Sequence, residues 1–233
     1  MTDLVNGIFS NDSAFGRAMN AVWVTVIASV LFALTTLPVF TIGAGLCGLN
    51  YVMIRYRRGE LSEKGVVKTF FEGFKSNFRQ GTIAGLVLTG LFVLLYLENF
   101  WCTEFGGIFL TFRCFLFGTF VVLVCIALEL FPAMVTFNGS LRELVYDAVF
   151  FAFAKPLRLL GILASLVLPV YVTVANPAYV PLTGFLWVCC LTGIITYVAA
   201  ALLLPVYAPY LAALDATDSA QNPAQPQEVT NGH

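Results

Sequence analysis

Histidine is all but missing from this chain: of 233 residues one is histidine, and it is the last, His233. An interior without imidazole excludes His-based acid–base chemistry and His-containing metal sites. The six cysteines (Cys47, Cys102, Cys114, Cys125, Cys189 and Cys190) contain no CxxC pair and no metal-ligand spacing. Cys102 and Cys114 flank one connecting segment and could bridge there, but nothing in the spacing forces it. They are read as free, buried thiols. No nucleophile sits beside a base, so the chain is not read as an enzyme and no cofactor is expected.

Charge is scarce as well. Asp, Glu, Lys and Arg make up 11% of the chain against 59% hydrophobic residues, where a soluble domain carries about 25% charged. There is too little polar surface here for a soluble domain. The charge that exists is concentrated. Of 12 Lys and Arg, seven (Arg55, Arg57, Arg58, Lys64, Lys68, Lys75 and Arg79) fall in RYRRGELSEKGVVKTFFEGFKSNFR, beside three acids. Lys and Arg that flank membrane spans gather on the cytoplasmic side, which accounts for the run without a nucleic-acid partner.

Long apolar runs stand on both sides of it. Ala18–Leu37, Thr82–Leu97, Ile108–Phe137, Pro156–Ala175 and Leu182–Tyr210 read as spans, about 20 residues being enough to cross. Val39–Tyr56 is also apolar but carries Thr41, Gly43, Gly45, Gly48 and Asn50. It is either a span packed closely through small residues or a re-entrant segment. Counting it gives an all-α, polytopic bundle of about six spans over residues 1–214, with both termini inside. Five spans, with the first 37 residues entering from outside, is the alternative. The loop Glu98–Gly107, free of Lys and Arg, is placed outside. No removable signal peptide is expected. Residues 215–233, nearly free of large apolar side chains, read as a disordered cytoplasmic tail.

The basic stretch also predicts a helix. Val66, Phe70, Phe74 and Phe78 recur every fourth residue, with Lys64, Lys68, Glu72 and Lys75 opposite and Ser62 placed to cap the start. Such a helix rests at the lipid headgroups or presents a docking surface. Arg57, Arg58, Lys64, Lys68 and Lys75 are the candidate contacts for lipid or for a partner on the cytoplasmic face. A shift of 79 residues, the separation of Arg79 from Arg158, pairs Val66 with Val145, Phe71 with Phe150 and Phe74 with Phe153. The second copy has its own capping box, Ser140 with Glu143. The shared order of elements suggests a parallel internal repeat with two cytoplasmic-face amphipathic helices.

The same shift pairs Asn50 with Glu129, the one acid well inside an apolar run. A charge at mid-span costs roughly 3 kcal/mol on insertion scales, so Glu129 must face a partner or water. It is either a proton- or substrate-linked carboxylate or a hydrogen-bonding partner for Asn50 or the Thr192–Thr196 face. Both Glu129 and Asn50 are candidate functional intramembrane polar groups.

Four stretches, LTTLPVFTIGAG, YVMIRYRRGE, FFEGFKSNFRQGT and LFPAMVTFNGSLRELVYDAVFFAFAKPLR, together resemble the YesL family of bacterial integral membrane proteins. The similarity covers most of residues 5–210. It implies a multi-pass protein of the bacterial cell membrane with unestablished biochemistry. Relatives are often associated with carbohydrate uptake, including ABC-type systems, so transporter subunits and the bilayer are the partners implied. A small-molecule or sugar transporter in its own right is the alternative. The resemblance carries over no catalytic, cofactor-binding or metal-binding residue.

Overall fold

The computed structural model describes residues 14–61, 65–105, 109–137 and 139–221, and every regular element among them is helical. In chain order these are α1 (Ala14–Thr35), α2 (Ile42–Arg58), α3 (Val66–Ser76), α4 (Phe78–Phe105), α5 (Phe109–Thr136), α6 (Leu141–Ala154), α7 (Pro156–Ala175), α8 (Val180–Leu186) and α9 (Thr192–Gln221). A π-helical turn, Trp187–Leu191, joins the last two. Five stretches are long and apolar enough to cross a membrane: Phe15–Thr35, Phe78–Cys102, Phe112–Thr136, Pro156–Ala175 and Val180–Ala213. Trp23, Leu94, Phe117, Leu168 and Phe185 all point outward from these helices, as they do where the solvent is lipid. The chain is an all-α bundle of membrane-embedded character.

The sixth expected span is different. α2 has 17 residues, about 25 Å of helix and short of the roughly 30 Å hydrocarbon core. It is also the hub of the fold, packed against α1, α3, α4, α5 and α9. Its sequence explains why. Gly43, Ala44, Gly45, Cys47 and Gly48 are all buried, and this small-residue face lets neighbouring backbones come close. A Cβ on Gly43 would stand 2.9 Å from both Gly81 C and Gly85 Cα, and one on Gly85 only 2.8 Å from Gly43 Cα. α2 and α4 therefore cross in backbone contact. The helix ends at Gly59, whose φ of +77° supplies the left-handed cap, with Arg55, Arg57 and Arg58 at the negative end of the helix dipole.

α3 starts at Val66 with Gly65 as its N-cap; Ser62, expected to cap it, and Lys64 lie outside the described residues. Its Phe face turns toward protein. Phe70 is fully buried with Val24, Leu49 and Met53, and Gly73 sits on the Tyr51 side chain. Phe74 is half-buried, while Phe78 belongs to α4 and is 41% exposed. The outer face mixes Lys68 and Lys75 with Val67 and Phe71, a composition suited to headgroups. α6 is capped as expected. Ser140 N–H donates to Glu143 Oε2 at 2.8 Å, and Glu143 N–H donates back to Ser140 Oγ at 3.5 Å. The Ser140 backbone N–H is the main reason the Glu143 carboxyl titrates below its usual range. This cap is complete at neutral pH and is lost as pH falls through that lowered value.

In each half a short helix packs on the long one before it, α3 on α2 and α6 on α5. One residue, Asn77 or Lys155, then separates it from the next long helix. Under the 79-residue shift, buried Thr69 and Gly73 fall on buried Ala148 and Ala152, and exposed Phe71 falls on exposed Phe150. The backbone crossing is not repeated, because Gly43, Gly81 and Gly85 fall on Val122, Leu160 and Ala164. Two boundaries also move. The segment expected as the loop Glu98–Gly107 is helical as far as Phe105, and α9 continues through Asp215 to Gln221, a stretch expected to be disordered. Cys102 is buried and Cys114 exposed, and both are free thiols.

Candidate functional site

Three places gather polar groups: a central cavity, a buried carboxylate and a basic end. The cavity, about 310 Å³, lies among α2, α5, α7 and α9 beside the π-helical turn. Its wall is mainly apolar, with Leu46, Phe92, Phe131, Leu166 and Ile195 among the lining residues, and Asn50, Thr192 and Thr196 supply polarity. Little of that polarity is free. Asn50 Nδ2 donates to Leu46 O at 2.9 Å within its own helix, and Thr196 Oγ1 donates to Gly193 O at 2.9 Å. Trp187 Nε1 donates to Thr173 Oγ1 at 3.0 Å. π-turns often mark functional positions. This one precedes Gly193, whose N–H donates at 3.0 Å to the buried Ser29 Oγ of α1. A larger cleft of about 620 Å³ separates α4 from α5, where Arg113 Nε donates to Asn99 Oδ1 at 3.2 Å.

Glu129 faces away from the cavity. It is 1% exposed, one turn before Pro132 in α5, and accepts from Tyr207 Oη at 3.2 Å. Tyr207 is itself fully buried, with Phe137 and Phe151 rings at 5.1 Å. Neither Asn50 nor the Thr192–Thr196 face reaches Glu129. The two candidate intramembrane groups are not brought together, and the partner is a tyrosine on α9. A hydroxyl donor offsets part of the desolvation of a buried carboxyl. The arrangement has the form of a structural hydrogen bond between α5 and α9.

Sequence reasoning missed Tyr207, although its setting between Pro205 and Pro209 is unusual inside a helix. It also missed the partner of Arg57. Arg57 Nη1 donates to Tyr197 Oη at 3.2 Å, and its guanidinium lies 5.3 Å from the Tyr197 ring centre. Arg57, Arg58, Lys68 and Lys75 are all exposed around the end of α2 and along α3. Among the described residues, no three His, Cys, Asp or Glu side chains group so as to hold a metal ion.

Residues 18–99 match the profile of a family described as a protein of unknown function, DUF624. The match runs from α1 through most of α4. It takes in the α2–α4 glycine crossing and the basic stretch and stops short of Glu129. Neither a curated protein nor a solved structure matches the chain.

Proposed function

We propose that this protein is a non-enzymatic accessory component of a bacterial carbohydrate uptake system of the ABC type. In this reading it sits in the cell membrane with the basic stretch and both termini cytoplasmic. The observation that carries it is the contrast between interior and surface. A sugar path needs many free hydrogen-bonding groups, and the central cavity is mostly apolar with its few polar groups engaged. The exposed cations Arg57, Arg58, Lys68 and Lys75 instead stand together at one end, beside the apolar Val67 and Phe71. The resemblance to YesL proteins and the match at residues 18–99 support the family context. Transport by the protein itself is the second reading. It is favoured by the π-turn and Pro132 bordering the cavity, since transporter sites use interrupted helices.

Changing Lys64, Lys68 and Lys75 together to Gln separates the two. Near an anionic surface each contributes about 1 kcal/mol, and the remaining arginines still mark the inner side. The triple variant is expected to insert and fold. Co-purification of a sugar-transporter subunit in mild detergent is expected to fall roughly tenfold, the equivalent of about 1.4 kcal/mol. Unchanged recovery, with sugar uptake by the purified protein in liposomes, overturns the accessory role in favour of transport.

A further inference from the structure

A cleft of about 410 Å³ opens between α1, α2 and α9, lined by Arg17, Ala18, Ala21, Tyr56, Arg57 and Tyr197. We propose that it is a binding site for the phosphate of an anionic phospholipid. Two arginines from different helices form its walls, and none of the described lining residues is acidic. The nearby acid Glu60 pairs with Arg55, Nε to Oε2, at 3.8 Å. Arg57 is held in place rather than left to roam. One of its five N–H donors goes to Tyr197 Oη, its guanidinium carbon lies over the Tyr197 ring, and that ring lies 6.2 Å from Tyr56. A guanidinium fixed in this way presents its remaining donors in a fork that matches two phosphate oxygens.

The surroundings select a lipid over a soluble anion. Tyr56 and Tyr197 have the apolar body and polar tip found at headgroup level. Bordering the cleft, Val22 is exposed on α1 and Ile194 is exposed one turn before Tyr197 on α9. An acyl chain leaving a headgroup at Arg17 and Arg57 runs directly onto this surface. Lys68 and Lys75 of α3 are exposed cations outside this cleft, which makes them the control.

The test uses the full chain in mild detergent, mixed with phosphatidylglycerol and phosphatidylcholine, with retained lipid read by native mass spectrometry. Wild type is expected to retain phosphatidylglycerol about tenfold over phosphatidylcholine. Arg17→Gln with Arg57→Gln abolishes that preference, and Lys68→Gln with Lys75→Gln, which removes only diffuse attraction, leaves most of it. Tyr197→Phe, which frees Arg57 without removing charge, weakens it severalfold. If the Gln pair fails to give a folded protein, the pair Arg17→Lys with Arg57→Lys takes its place. It retains both charges but not the fork, and reduced preference supports the site. An equal loss in the α3 control pair overturns it in favour of diffuse attraction. Displacement of the lipid by millimolar inorganic phosphate overturns it in favour of a soluble anion.

Discussion

Gly43→Val is expected to destabilise the protein by about 3 kcal/mol or more, the upper end of what overpacking costs. The atoms in its way are backbone. A Cβ at this position meets Gly81 C and Gly85 Cα at 2.9 Å, and no rotamer change can move them aside. α2 and α4 would have to separate, and α2 also carries the contacts to α1, α3, α5 and α9. Thermal unfolding in detergent reads the effect, with Gly90→Ala and Gly118→Ala as controls, since nothing lies within 4 Å of a Cβ built at either. Those controls are expected to be neutral or slightly stabilising, alanine being the better helix former by about 1 kcal/mol. A Gly43→Val protein as stable as wild type contradicts the backbone crossing.

The second large effect belongs to Glu129 and Tyr207. Tyr207→Phe deprives a buried carboxyl of its donor, and Glu129→Leu leaves a buried phenol unpaired; each is expected to cost about 1–3 kcal/mol. Combining them removes both polar groups at once, so the double variant is expected to be less destabilised than the sum of the two. The difference in such a double-mutant cycle isolates the pair. Glu129→Gln keeps an acceptor for the phenol and sheds the charge, and is expected to insert and fold normally. If Glu129→Gln expressed well yet abolished a measured transport activity, a protonation role would replace the structural one.

Much of this was legible in the chain because it is local. The Ser140–Glu143 cap is written in four residues, the α7 span Pro156–Ala175 has the bounds its apolar run predicts, and the basic stretch announces itself by count. What was not legible depends on neighbours far along the chain. The period of Val66, Phe70 and Phe74 says that α3 has an apolar face. It does not say that α2 rather than lipid receives Phe70. Glu129 must find its partner 78 residues away, and no spacing rule points to Tyr207. α2 looked doubtful as a span because its glycines lower its hydropathy, yet those glycines are what place it at the centre. At the C-terminal end, Asp215–Gln221 lacks an apolar face, but a helix as long as α9 propagates into such a segment more easily than one can nucleate there.

The central claim is that the exposed face of α3 meets a protein of the uptake system, and site-specific photo-cross-linking in intact cells addresses it most directly. A photoreactive residue at Phe71, exposed on α3, is compared with one at Phe112, exposed on α5 away from the basic stretch. The account predicts a discrete adduct from Phe71 alone, identified by mass spectrometry as a sugar-transporter subunit, and lost when Lys64, Lys68 and Lys75 are changed to Gln. Only lipid adducts at both positions, from cells actively taking up the sugar, would contradict it.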